Sequence, residues 1–371
     1  MLRRSHSASP VEELLGRQAT ISVLVCWAPL AVLSLVQAHF LGGTRLSFLR
    51  DIETHVRFLV CLPALILAEM NVRHRIQPMM KRFIERRLVI PEDLPKFHTA
   101  VNVAVRIHNS AIAEIALLAF VFTGGVWFWR HQIAVDVASW YASSQGGQVH
   151  LTMAGYWLEF ISVPVFQFIL LRWYMQILIW VWFLLRVSRL TLHLQPLHPD
   201  RAGGLGFVGK LSVVFEPLLF AQSALLAAQV ASRIFYNGES LLTSKWTILG
   251  YVVFSVAVAL APLLSFTPQL MRAKRDGLAK YGNFASQYVS DFDQKWLQSK
   301  VEEKQILGTN DIQSLADLSS SFTIAHDMRP VPFSTDDIVL LFVVTIAPFL
   351  PLLLTVMPLE QLIVRVFKII F

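Results

Sequence analysis

Charged residues are scarce in this chain of 371 residues. Asp, Glu, Lys and Arg make up 15% of the sequence, whereas soluble domains usually carry about 25%. Apolar residues make up 55%, which is too much apolar surface for a disordered chain. A single soluble domain of this length would need more charge on its surface. The composition therefore predicts a membrane protein with several spans.

Cysteine is also nearly absent. The two cysteines, Cys26 and Cys61, each lie inside an apolar run. This excludes a disulfide scaffold, and both thiols are expected to pack as small apolar groups. The sequence also lacks a Walker loop, a dinucleotide fingerprint, a Gly-x-Ser-x-Gly elbow and a His-Glu-x-x-His helix. We therefore expect no cofactor and no resident metal, and the sequence does not favour an enzyme.

Long apolar runs, by contrast, are abundant. Seven of them approach or reach the length that crosses about 30 Å of hydrocarbon. They lie at 20–41, 57–73, 110–134, 157–185, 211–235, 247–271 and 337–357. The second is short and begins and ends in arginine, and the fifth carries two polar stripes that predict a central position with partners on both sides. The sequence therefore predicts a single all-α membrane domain, a bundle of about seven transmembrane helices.

Lysine and arginine alternate between the loops. Residues 1–19 hold three, 74–109 hold seven and 272–335 hold eight, whereas 42–56 hold two and 135–156 hold none. Because positive residues stay on the cytoplasmic side, we expect a cytoplasmic N-terminus and, after seven crossings, an external C-terminus. This bias explains most of the net charge of +7. No nucleic acid partner is expected, while the basic inner face suits anionic lipids.

The cytoplasmic segments 74–109 and 272–335 are predicted to extend the membrane helices into a small helical cap. Apolar residues recur at three- and four-residue steps in 76–88, 278–297 and 312–322. Each stripe needs a surface to pack on. We expect the first two stripes to pack together and bury Phe83 and Phe292. A homo-oligomer, in which an identical subunit covers the stripes, is the alternative.

The last run has its own signals. Ser334 or Thr335 is predicted to cap the start of its helix. Pro348 and Pro351 remove backbone donors inside it, so this pair is the predicted hinge, with a static kink as the alternative. The tail at 358–371 is too short to cross and is expected at the outer interface or against a neighbour.

Charges inside apolar runs are costly and by default indicate function. The candidates are Glu69, Glu114, Arg172 and Glu216 inside the runs and Lys210 at the inner end of the fifth. At about 1.5 Å rise per residue, the three glutamates fall at similar depth, with Arg172 farther out and Gln176 on its face. We predict an ion or substrate path here, with Arg172 paired to Glu216. The alternatives are that Glu69 and Glu114 reach interfacial water and that Arg172 and Glu216 form a structural bridge.

The string HLQPLHPDRAGGLGF lies between the fourth and fifth runs. Its glycines and the following helix start could hold an anion such as a lipid phosphate, with Arg201 beside it. His198 and Asp200 could instead bind a metal, although scattered ligands are weak evidence. The third interpretation is a tight turn that Asp200 caps, in which Gly203 and Gly204 supply positive φ.

This loop, together with FEP at 215–217 and MRPVPF at 328–333, resembles uncharacterised bacterial polytopic inner-membrane proteins with an HPDRAGGLGF-type inner loop. The resemblance covers most of the chain. It implies a bacterial inner-membrane setting and brings no activity with it.

Three functions fit these observations. The first is a channel or secondary transporter for a small ion or polar solute, which uses the charges in the bundle. The second is a non-transporting sensor or assembly module that presents the helical cap to another protein. The third is a membrane-embedded lipid-modifying enzyme that uses His198, Asp200 and Arg201 at the inner interface.

Overall fold

The computed structural model describes residues 10–41, 48–125, 140–145, 148–298 and 310–355. Helix makes up 83% of the structure. The principal helices within these residues are α1 (Pro10–Leu41), α2 (52–85), α3 (Pro91–His108), α4 (Ala111–Gly125), α5 (Met153–Val187), α6 (Glu216–Asn237), α7 (Lys245–Gln298), α8 (Asn310–His326) and α9 (Thr335–Thr355). Two short strands, β1 (Ala142–Gln145) and β2 (Gln148–Leu151), pair antiparallel.

Five helices are long and apolar enough to cross a membrane. They are Leu14–Gln37 within α1, and α5, α6, α7 and α9. The α3–α4 pair, bent by 47°, qualifies as a sixth if it is counted as one span. The protein is therefore a helical multi-pass membrane protein. Of the other predicted spans, 57–73 lies in α2 and is interrupted by charges, and 110–134 continues past the described residues. The tail at 358–371 lies outside the described residues.

Proline explains local changes of helix type. The π-helical turns Val56–Cys61, in α2, and Leu158–Ser162, in α5, come directly before Pro63 and Pro164. Proline has no N–H and leaves the carbonyl one turn earlier without its helical donor. The wider π turn absorbs this defect without ending the helix.

The start of α9 confirms the predicted Ser334 cap. The Asp337 N–H donates to Ser334 Oγ at 3.3 Å, and the Asp337 carboxylate accepts the Ser334 N–H at 2.7 Å. This reciprocal pair satisfies two donors that the first turn leaves open. The helix changes to a 3-10 helix at Ala347–Thr355. The change falls at the predicted hinge, because Pro348 and Pro351 cannot donate the α-helical bonds.

The central helix is α6, as expected for the fifth run. Half of its apolar window is buried, against at most 28% for the other four single-helix candidates. It packs on both α2 and α9. Its buried alanines, including Ala221, Ala224 and Ala228, allow these helices to approach closely.

One end of the bundle, the hairpin end, is formed by 48–55, β1, β2 and 236–244. Trp140 Nε1 donates to the Asp51 carboxylate at 2.9 Å. The Tyr236 hydroxyl donates to the Arg50 carbonyl. These bonds join segments that the sequence predicts to lie outside the cell.

The opposite end, the loop end, is formed by 86–93, 189–209, 270–281 and 327–334. Val89 and Leu192 form an isolated antiparallel bridge. The backbone N–H of Thr191 donates to the Asp93 carboxylate at 2.9 Å. The predicted cytoplasmic segments therefore meet at one end of the bundle.

The predicted burial of Phe83 is confirmed, but its partners are not in the 278–297 stripe as predicted. Phe83 is fully buried, but its ring lies 5.7 Å from Phe97 and 5.0 Å from Phe207, measured between centroids. The end of α2 is thus covered by α3 and the inner loop. Phe292 is half-buried beside Trp296.

The other two stripes do pack together. α8 lies along the polar half of α7, which is the segment from Arg272 onward. The Tyr288 hydroxyl donates to the Asp311 carbonyl at 3.0 Å, and Trp296 Nε1 donates to the Asp311 carboxylate at 3.0 Å. The cap is therefore a helical pair beside the loop end, made by 278–297 and 312–322.

Candidate functional site

An ion pair joins α5 to α2 inside the bundle. Arg172 Nη2 donates to Glu69 Oε1 at 3.1 Å. The predicted pairing of Arg172 with Glu216 is therefore wrong. The reason is that Trp173 fixes α5 against α2, because its Nε1 donates to the Leu65 carbonyl at 3.1 Å. Leu65 lies one turn from Glu69, so the same face of α2 meets Arg172.

The protein does not seal this ion pair. The exposed fraction is 29% for the Arg172 side chain and 18% for the Glu69 side chain. Water or lipid therefore touches both side chains. For charges inside an apolar helical bundle, the identity of that surrounding medium decides between a static bridge and a polar path.

A buried acceptor lies one turn along α5. Gln176 follows Arg172 by four residues and shares its face. The Oε1 of Gln176 is buried and accepts no hydrogen bond among the described residues. A buried acceptor left unsatisfied costs about 1–3 kcal/mol. The predicted path thus contains Arg172, Glu69 and an acceptor available to a polar ligand.

The structure places Glu114 and Glu216 differently from the prediction. Each lies in the first turn of a helix that begins anew, Glu114 in α4 and Glu216 in α6. At Ser110, which caps α4, Oγ accepts the Ala113 N–H at 3.3 Å. A carboxylate in a first turn complements the positive end of the helix dipole. These positions explain both glutamates without a path.

The sequence did not reveal Glu159. It lies in the π-helical turn Leu158–Ser162 and is fully buried. The predicted run begins only two residues before it, at an end where a carboxylate ordinarily reaches interfacial water. In the structure the helix begins at Met153, and α1 covers this turn, where Ser162 Oγ donates to the Cys26 carbonyl at 2.8 Å.

At the loop end, Asp200 organises the distinctive glycine loop. Its Oδ1 accepts the backbone N–H groups of Ala202 at 2.9 Å and Gly204 at 3.1 Å, and its Oδ2 accepts that of Gly206 at 2.9 Å. His198 Nδ1 lies 2.9 Å from Oδ1. This is the capped turn, and the N–H groups that would hold an external anion already bind Asp200.

These bonds also set the charge state of Asp200. Burial by itself would raise the pKa of this carboxyl. The N–H groups of Ala202, Gly206 and Gly204 outweigh burial, and the nearby His198 adds to them, so the pKa lies below the usual value for aspartate.

The two central glycines of the loop have positive φ, 63° at Gly203 and 97° at Gly204, as does Arg201 at 52°. A Cβ at Gly203 would lie 2.9 Å from Met328, and one at Gly204 would lie 3.0 Å from Leu88. Conformation and close packing therefore both require glycine at these two positions.

Two arginines tie the loop to its neighbours. The backbone N–H of Arg329 donates to the Arg201 carbonyl at 2.7 Å, and Nη2 of Arg329 donates to the Asp200 carbonyl at 2.9 Å. Arg86 Nη1 donates to the Gly204 carbonyl at 3.1 Å. The loop thus joins α2 to the connector before α9.

The remaining interpretations of this loop gain no support. The Arg201 side chain is 61% exposed and lies 3.8 Å from the Asp327 carboxylate. Among the described residues, no three His, Cys, Asp or Glu side chains form a group that could hold a metal ion. The contacts of His198 and Asp200 favour a structural role over a catalytic one.

No protein-family model, curated protein or solved structure matches the chain. The fold and the site place the chain in the class of helical multi-pass membrane proteins.

Proposed function

We propose that the protein is a channel or secondary transporter for a small ion or polar solute, with the Arg172–Glu69 pair in its path. The supporting observation is that both side chains of this ion pair are partly exposed. A charge that faces lipid costs several kcal/mol, so water is the favoured neighbour. Glu69 then offers a carboxylate to a proton or cation, and Arg172 is the internal counter-ion that competes for it.

The seven-crossing topology is part of this proposal. α2 begins at the hairpin end beside Asp51 and reaches the loop end at Glu85, and its 34 residues extend about 50 Å. The chain then leaves the loop end near Asp93 and returns to the hairpin end at Trp140. Lysine and arginine enrichment puts the loop end in the cytoplasm, and the sequence resemblance favours a bacterial inner membrane.

Reporter fusions test the topology. Fusions after residues 90 and 300 should report the cytoplasm, whereas fusions after 145 and 240 should report the exterior. A fusion after 371 should also report the exterior. An external position for residue 300 would contradict the topology.

Ion flux through the full-length protein in liposomes tests the transport proposal. Several cations, anions and protons should be screened, and Glu69→Gln should then reduce the flux of the transported species severalfold. Glu92→Gln is the matched control, because Glu92 is exposed at the loop end. Gln176→Leu keeps the ion pair and removes only the available acceptor, so it should alter flux in a folded protein. Unchanged flux in both Glu69→Gln and Gln176→Leu would refute the proposal.

A second observation favours an assembly module. Apolar side chains on the polar half of α7 remain exposed, at 57% for Phe284, 43% for Val289 and 74% for Leu297. Exposed apolar side chains of this size on a charged helix indicate a contact with another surface. A second copy of the chain is the proposed occupant, since the predicted alternative to an internal cap is an identical subunit.

The mass of the detergent-solubilised protein by light scattering tests assembly. Phe284→Ser combined with Leu297→Ser should convert an oligomer into a monomer, whereas Ala279→Ser, at an exposed site that carries no large apolar side chain, should not. A wild-type protein that is already monomeric would exclude a second copy as occupant.

A further inference from the structure

A cavity of about 770 Å³ lies between the loop at 189–197 and the face of α7 at 269–281. Small-molecule sites in proteins typically measure about 300–1,000 Å³. The loop segment that lines the cavity comes directly before the Asp200 turn, and none of the path residues lines it.

Two anchors frame the cavity. At one, Gln269 Nε2 donates to the carbonyls of Ser188 at 2.6 Å and Leu190 at 2.8 Å. At the other, Pro196 packs so closely on Gly277 that a Cβ there would lie 2.5 Å from the proline ring. The loop is therefore fixed to α7 at two points.

Between the anchors the loop is held away from α7. The two helix anchors are eight residues apart, about 12 Å along the axis. The six loop steps between them can extend to about 20 Å. The N–H of His193 donates to the Leu88 carbonyl at 2.7 Å, and Leu192 pairs with Val89. The end of α2 thus draws the loop outward and keeps the space beneath it open.

The cavity is electropositive. Arg189, Arg272 and Lys280 line it, against a single carboxylate, that of Asp276. The residues contributed by α7 recur at three- and four-residue steps, so they share one face. Arginine binds the oxygens of phosphate with a planar fork and lysine binds them as a point charge. This donor set suits a phosphate group.

The position of the cavity adds a second requirement. It lies where α7 changes from the apolar segment that ends at Met271 to a charged segment that begins at Arg272. The lining also includes the apolar side chains of Leu192 and Leu194 and the ring of Tyr281. A ligand with a phosphate next to an apolar part fits such a lining.

We propose that this cavity binds a phosphate-bearing anion, supplied either by an acidic phospholipid headgroup or by a soluble phosphate compound. The ligand lies between the inner loop and α7, with its phosphate on Arg272, Lys280 and Arg189. The proposal does not depend on transport, because it uses none of the residues in the path.

Calorimetric titration of the full-length protein in neutral detergent tests the proposal. The probes are dihexanoyl phosphatidylglycerol, glycerol 3-phosphate and, as the zwitterionic comparison, dihexanoyl phosphatidylcholine. Arg272→Gln combined with Lys280→Gln should weaken binding about tenfold or more, since charged hydrogen bonds are lost. Lys274→Gln combined with Arg275→Gln removes the same charge from neighbouring positions outside the cavity and should retain wild-type affinity.

The probes distinguish the sources. Binding of phosphatidylglycerol alone identifies a lipid headgroup, whereas equal binding of glycerol 3-phosphate identifies a soluble phosphate compound. Thermal unfolding without ligand checks the fold of each variant, and Arg189→Gln provides an independent variant if the first pair unfolds. Absence of binding by both anionic probes, or equal weakening in the cavity and control variants, would overturn the proposal.

Discussion

The carboxylates of Asp200 at the loop end and of Glu69 in the bundle are stabilised by different kinds of partner. Asp200 is bound by backbone N–H groups within six residues of itself. Glu69 is bound by Arg172, which is 103 residues away on another helix. The partners of Asp200 are therefore in place whenever this local turn is folded. The partner of Glu69 depends on how α2 and α5 pack, so a change in that packing can break the ion pair without unfolding the loop.

The largest effect is expected from Asp200→Ala. The substitution leaves three backbone donors without their charged acceptor, which we expect to cost about 3–5 kcal/mol of stability. Thermal unfolding in detergent measures this loss. Asp200→Asn keeps one acceptor oxygen and should be intermediate. A variant as stable as the wild type would show that the turn does not need this carboxylate.

The ion pair in the bundle should show a smaller, reversible loss. Arg172→Leu removes the charged partner that Glu69 has on α5 and should cost about 2–4 kcal/mol, somewhat below the range for fully buried pairs because this pair is partly exposed. Adding Glu69→Leu should restore much of the stability. Adding Glu216→Leu instead should not, because the structure places Glu216 at the start of α6. If Glu216→Leu rescued the Arg172→Leu variant and Glu69→Leu did not, the result would support the pairing predicted from the sequence.

Glycine substitutions sharpen the contrast between the tight loop end and the open spans. A Cβ at Gly209 would lie 2.6 Å from Phe333 Cα and 2.6 Å from the Pro332 carbonyl oxygen. Gly209→Ala should therefore cost about 1–3 kcal/mol. Gly250 in α7 has nothing within 4 Å of such a Cβ, so Gly250→Ala should be neutral or stabilise by up to about 1 kcal/mol. Thermal unfolding of both variants would test this, and equal destabilisation would contradict it.

The smallest effect concerns pH. The pKa of Asp200 is lower in the folded protein than its usual value, so the unfolded chain binds the proton more tightly. Its contribution to stability is complete above the unfolded value of about 3.9 and is lost as the pH falls through the folded pKa. Unfolding temperatures measured from pH 6 downward should show this loss, and Asp200→Asn should lack this component.

The sequence predicted the features that local chemistry decides. Apolar length identified the spans of α5, α6, α7 and α9, and side-chain capping identified Ser334. The turn at Asp200 was among the three interpretations, because its residues are close in the chain. In each case the interacting groups lie within a few residues of one another.

Features that depend on helix orientation were not predictable in this way. Rise per residue gives the depth of Arg172 but not the direction in which it points, so Glu216 and Glu69 were equally reachable. The sequence also did not reveal that α6 starts anew at Glu216 or that α5 begins at Met153 and buries Glu159. The contact between Phe83 and Phe207 was missed because the two residues are far apart in the chain and belong to different segments.

The length of α7 has a mechanical consequence. Its 54 residues form a rod about 80 Å long, with a short 3-10 segment, Ala261–Phe266, roughly a third of the way along it. The arm beyond this segment, Thr267–Asp293, is about 40 Å long, so a tilt of about 5° at its base displaces its far end by about 3–4 Å. Gln269 lies at the base of that arm and binds the chain just after α5. A small displacement at this point produces a larger displacement at the far end of the arm. A movement of α5 too small to disturb packing in the bundle is thus magnified at α8.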